Sequence, residues 1–132
     1  MEKKMPKHGD FCWNELMTPD ANKAKQFYKS LFGWDFQSRD VNNHTYNMIR
    51  VEDREIYGGL MQTPADKVKQ IPPRWLTYVN VDNVDDAVDK AQKLGAKITY
   101  PPTQIEDSGR FAIIQDPTGA DIGLWQCLKT CG

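Results

Sequence analysis

The 132-residue sequence predicts an α+β domain built from two tandem βαβββ modules. Three observations point there. Trp13, Asp20 and Gly33 recur as Trp75, Asp82 and Gly95, each 62 positions further on. Between Asp and Gly, both copies carry an amphipathic helical stripe. The copies also end alike: "GGLMQ" and "IGLWQ" align Gly59 with Gly123, Leu60 with Leu124 and Gln62 with Gln126, at an offset of 64. Self-similarity along a chain signals a duplicated structural unit.

Module 1 covers 9–63 and opens on a strand-like segment, "FCWNELM". Asp20 is placed as the N-cap of a helix, because a short carboxylate can accept a free N–H of the first turn. Ala24, Phe27, Tyr28 and Leu31 follow at i, i+3, i+4 and i+7, one apolar stripe. Gly33 sits at C′, where a positive φ is usual. In "TYNMIRV", Tyr46, Met48 and Arg50 alternate with Asn47, Ile49 and Val51, and "EDRE" turns the chain into "IYGGLMQ". The linker, 64–72 within "PADKVKQIPP", is bounded by prolines that end the module.

Module 2 covers 73–128. Its first strand reads "RWLTYVNV", and Asp82 is the expected N-cap. Val84, Ala87, Val88 and Ala91 repeat the helical spacing, and Gly95 is placed at C′. "DPTG" at 116–119 has the Asp, Pro and Gly preferences of a type I turn, flanked by the strands "RFAIIQ" and "ADIGLWQ".

Composition narrows the function. Charged residues are 27%, hydrophobic ones 39%, and the net charge is −1, ordinary for a soluble globular protein. No basic stripe points to nucleic acid, and no apolar run approaches the roughly 18–20 residues of a membrane helix. The basic start, "MEKKMPKHGD", leads into no apolar stretch, so no signal peptide is expected. Cys12, Cys127 and Cys131 have no framework spacing and read as reduced thiols of a cytoplasmic protein. His8 and His44 read as exposed loop residues. No Ser/His/Asp or Cys/His set and no phosphate loop is visible; "YGGL" lacks the helix such a loop requires.

With "FYKSLFGW" closing the first helix and "DPTGADIGLWQ" ending the second unit, the chain resembles the vicinal oxygen chelate superfamily, from about Gly9 to Leu128. That superfamily includes glyoxalase I, bleomycin-resistance proteins and extradiol dioxygenases. The resemblance implies one domain, 9–128, whose two modules form open half-barrel mixed sheets around a cleft. It also implies a metal site: a His, Gln or Glu near the start of each first strand, and a Glu in each last strand in the pattern Asp-Pro-x-Gly-x-x-x-Glu-Leu. Carried onto this sequence, the glutamates fall on Gly123 and Gly59. The first-strand positions fall on Trp13 or Asn14 and on Trp75 or Leu76. None of these suits a divalent cation. The expectation is no metal and no cofactor, with an aromatic ring in the space the glycines vacate.

Strand alternation supplies the expected cleft lining. Trp13, Glu15 and Met17 share one face, and Trp75, Thr77 and Val79 another. Tyr57 and Met61 accompany Gly59; Asp121 and Trp125 accompany Gly123. Tyr46, Met48 and Phe111 complete the lining, with Glu15 and Arg50 as its charges. Such a pocket suits a partly aromatic small molecule held by stacking and one or two polar anchors. Glu15 is the one catalytic candidate, since desolvation beside tryptophans raises a carboxyl pKa toward the range of a general base. The leading expectation is a metal-free binding protein of the glyoxalase and bleomycin-resistance type, paired as a homodimer. The alternatives are a lyase, isomerase or dioxygenase of the same superfamily, and a dimerisation module without a ligand.

Overall fold

The computed structural model describes residues 6–41 and 44–128. The chain divides into two compact units: Trp13–Leu76, and the residues before Trp13 together with those after Leu76. Eleven elements follow in order: β1 (Phe11–Thr18), α1 (Ala21–Phe32), β2 (Trp34–Val41), β3 (His44–Val51), β4 (Arg54–Gln62), a 3-10 turn (Ala65–Lys67), β5 (Arg74–Asn80), α2 (Val84–Lys93), β6 (Lys97–Ile105), β7 (Gly109–Gln115) and β8 (Asp121–Cys127). This is the βαβββ order twice, with the short turn inside the expected linker.

In the first unit the strands lie in the order β2-β3-β4-β1, with β1 parallel to β4 and the other pairs antiparallel. In the second the order is β5-β8-β7-β6, with β5 parallel to β8. Each is an open mixed sheet. One face is covered by the unit's own helix. Leu16, Ala21 and Leu60 form the first core, joined by Ala24, Tyr28 and Phe36. Val81, Val84, Val88, Ala112, Ile114 and Leu124 form the second, joined by Ile122. Burying an aliphatic side chain as fully as Leu60 or Val84 contributes about 1.5–3 kcal/mol. Asn47, also buried, donates to the Leu60 carbonyl and accepts from the Ser38 hydroxyl.

The helix starts show how the repeat is really spaced. Asp20 caps α1 through the Lys23 N–H, as expected. The N-cap of α2 is Asn83, through the Asp86 N–H, and not Asp82; the Asp82 N–H is taken by His8 Nδ1. The true offset here is 63 (83−20), so the alignment on tryptophan is one residue out. The two conserved-looking endings have a matching task. Gln62 Oε1 accepts from the Ala21 N–H and Gln126 Oε1 from the Val84 N–H, each at 2.9 Å. Each last strand thus satisfies a donor that its helix leaves open. Gly33 and Gly95 have φ of +76° and +99°, as a helix end favours.

Two smaller readings change, His44 and Cys127, and one, Cys12, stands. His44 is not a loop residue: it opens β3 opposite Val41 and is exposed. Cys12 is a free thiol, whose pKa burial pushes up to about 11. Cys127 is disulfide-bonded, which corrects its reading as a reduced thiol, and cysteine usage no longer argues for a reducing compartment. Cys131 lies outside the described residues. No helix among the described residues is long and apolar enough to cross a membrane.

Candidate functional site

In the first unit, β1 and β4 run parallel with Glu15 opposite Gly59 and Met17 opposite Met61. Met48 and Tyr46 of β3 lie opposite the same two residues of β4. Partners across a ladder share a face, so Glu15, Tyr46, Met48, Gly59 and Met61 stand together, opposite the face that α1 covers. Trp13 joins them by alternation. Tyr46 reaches diagonally over Gly59, close enough that a Cβ at 59 would run into its phenol oxygen and ring. There the phenol accepts from Trp13 Nε1–H and donates to Glu15 Oε1, both at 2.8 Å. Glu15 is 9% exposed. A carboxylate this deep requires hydrogen bonds, and Tyr46 supplies one that is charge-assisted. The result is a directional chain, Trp13 to Tyr46 to Glu15, with a carboxyl group at its end beside two aromatic rings. Arg50 belongs to the turn, where its guanidinium donates to the Asp53 carbonyl.

In the second unit, Gly123 lies opposite Ile113 of β7 and Tyr78 of β5. A Cβ at 123 would strike the Tyr78 ring. Phe111 is opposite Trp125, and it stacks on Tyr100 at 5.3 Å between centroids. The Trp125 ring lies over Gly109, where a Cβ would meet it. Ile122 and Leu124 pack toward α2, as alternation requires.

Two expectations are corrected. Thr77 and Trp75 do not share the face of Gly123; Tyr78 does. Glu15 opposite Gly59 and Tyr78 opposite Gly123 fix the first-strand offset at 63 (78−15), and a slip of one residue turns a whole strand over. Trp75 instead meets residues around α1: its Nε1–H donates to the Tyr28 hydroxyl at 3.2 Å, and its ring stands at 78° to Tyr28 and 77° to Trp34. Tyr57 leaves Gly59's face too. Between Met48–Gly59 and Arg50–Glu55 the chain takes two steps along β3 and four along β4. Tyr57 sits in that bulge with φ +59° and lines the helix face with Trp34, Trp75 and Gly58. Tyr78, Tyr100 and Gly109 were missed. The parity of the Gln62–Gln126 endings against the helix caps would have found Tyr78.

Known proteins match this chain along nearly its whole length. The family model described as Glyoxalase/Bleomycin resistance protein/Dioxygenase superfamily matches residues 12–124. The glyoxylase candidate CFP32 of Mycobacterium bovis is 37% identical over 135 residues, covering 97% of this chain and 51% of that protein. The anthracycline biosynthesis protein DauV of a Streptomyces species is 24% identical, covering 87% of this chain and 46% of its own length. The chain therefore spans about half the length of these relatives. Among solved structures, methylmalonyl-CoA epimerase of Streptomyces coelicolor superposes with a TM-score of 0.66 over 93% of this chain and 100% of that one, at 13% identity.

Proposed function

The chain belongs to the Glyoxalase/Bleomycin resistance protein/Dioxygenase superfamily, and from that premise we propose that it binds a small, partly aromatic molecule without the superfamily's metal quartet. The observation that carries the reading is the Tyr46 phenol seated over Gly59 between Trp13 and Glu15. A glutamate at 59 would need the volume that phenol occupies. In support of that reading, no three of His, Cys, Asp and Glu come together as a ligand set among the described residues. What the face offers is the rings of Trp13 and Tyr46, the thioethers of Met48 and Met61, and one hydrogen-bonded carboxylate. Rings and thioethers grip flat apolar surface, and a carboxylate orients one polar edge.

The test has two arms. Metal analysis of protein purified without chelators should find well under one Zn, Ni, Fe or Mn per chain; near-stoichiometric metal surviving dialysis sinks the metal-free reading. A thermal-shift panel of planar aromatic carbonyl compounds should raise the melting temperature, and Tyr46→Phe should reduce that rise. No shift with any compound removes binding and favours the dimerisation module. We expect a homodimer, read by light scattering.

A second reading has its own support. A phenol that donates to a buried carboxylate is an arrangement able to hold a proton at Glu15 or to receive one. The likeness to CFP32, a glyoxylase candidate, then supports the enzyme alternative, a lyase, isomerase or dioxygenase of the superfamily with Glu15 as general base. Glu15→Gln would abolish turnover and spare binding.

A further inference from the structure

We infer that the helix face of the first unit holds a second binding site, for a neutral planar aromatic molecule, on the other side of the sheet from Glu15 and Gly59. A cleft of about 490 Å³ opens there, within the usual range of roughly 300–1,000 Å³ for small-molecule sites. Its walls are aromatic and set at right angles. Tyr28 and Trp34 stack with centroids 5.2 Å apart, and Trp75 stands across both. Tyr57 adds a fourth ring, and Gly58 presents bare backbone between Asn14 and Ile49.

Three features choose the occupant. Among the described residues the lining contains no Asp, Glu, Lys or Arg, so nothing among them compensates a charged ligand, and burying an uncompensated charge is prohibitive. Trp75 and Tyr57 keep 43% and 41% of their surface exposed, so a planar molecule in the cleft would cover part of both. Tyr57 is held at φ +59°, a conformation that costs a bulky residue energy and marks positions that serve a purpose beyond the local fold. Asn14 is exposed at the rim, with a side-chain amide that makes no hydrogen bond among the described residues. An amide both donates and accepts, so it matches an edge that does the same. The chemistry is that of two or three fused rings bearing a neutral amide-like group.

The probe is naphthalene-2-carboxamide, with 2-naphthoate as its anionic counterpart, titrated into the whole chain and followed by the indole N–H signals in 1H–15N NMR. The carboxamide should shift Trp34 and Trp75 saturably, and Tyr46→Phe, which alters only the opposite face that Trp13 reports on, should leave that affinity unchanged. The naphthoate should bind at least about tenfold more weakly. Trp75→Ala should weaken the carboxamide about tenfold or more, and Tyr57→Gly, which relieves the backbone while removing a ring, should weaken it without unfolding the protein. Shifts at Trp13 or Trp125 alone, or none at millimolar probe, overturn the assignment. So does conversion of a dimer to a monomer by Trp75→Ala, which would make the cleft an interface between two copies.

Discussion

Gly59→Ala is the sharpest perturbation of the candidate site. Gly59 does not have a positive φ, so the backbone itself accepts alanine. The added methyl meets the Tyr46 phenol oxygen and the ring carbons behind it, and the ring must swing away. That breaks the bond from Trp13, worth about 0.5–1.5 kcal/mol as a neutral hydrogen bond. It also breaks the bond to the Glu15 carboxylate, worth about 1.5–3 kcal/mol as a charged one. Replacing glycine by alanine returns about 0.5–1 kcal/mol through the unfolded chain. The net expectation is a loss of roughly 1–4 kcal/mol in urea unfolding at neutral pH, with the m-value unchanged. In a Tyr46→Ala background the same substitution has nothing to strike and should be neutral or stabilising. The cycle measures the coupling directly. A Gly59→Ala cost below about 0.5 kcal/mol, or an equal cost in both backgrounds, would refute the argument that this glycine exists to admit the phenol.

Other outcomes follow from single contacts. Asp116 accepts from the Thr118 N–H and hydroxyl and the Ala120 N–H, and these bonds, the Thr118 hydroxyl foremost, hold its carboxyl below 3.8. A depressed folded pKa gives stability that is present above the unfolded value and lost as pH falls through the folded one. The melting-temperature gap between wild type and Asp116→Ala should therefore be full near neutrality and close as pH drops below about 4; a gap independent of pH would refute this. The Thr63 hydroxyl is buried without a partner among the described residues, so Thr63→Val should be neutral or stabilise by about 1 kcal/mol, and a loss above 1 kcal/mol would expose a hidden partner. Gln62→Ala and Gln126→Ala should each cost about 1 kcal/mol, the value of a helix-terminal hydrogen bond, with a matching loss of helical circular dichroism.

The sequence carried the fold because its signals were local. Helix stripes, the αL glycines at 33 and 95 and the Asp-Pro-Thr-Gly turn each act within a few residues, and each appears where expected. The site was legible in the first unit and not in the second. Strand facing depends on parity, and parity depends on counting the repeat correctly. The matched tryptophans gave 62 where the helix N-caps and the strand pairing give 63, and that one residue sent Trp75 and Thr77 to the wrong face. Tyr57 failed for another reason: alternation assumes a regular strand, and a bulge is invisible to it.

The two glycines are not equivalent. At 59 the space beside the glycine goes to Tyr46, from the middle strand of the first sheet, and the ring arrives with a hydroxyl that joins Trp13 to Glu15. At 123 it goes to Tyr78, from the first strand of the second sheet, which presents the side of its ring, Cδ2 and Cε2, to the glycine. One glycine therefore sits beneath a polar chain that ends in a carboxylate, and the other beneath an aromatic packing contact. Position 15 explains the asymmetry. By the corrected spacing, the residue matching Glu15 is Tyr78 itself, so the strand position that carries the charge in one unit carries the space-filling ring in the other. A duplicated frame with matching helices, caps and endings thus carries a carboxylate at this strand position in the first unit and an aromatic ring at the matching position of the second.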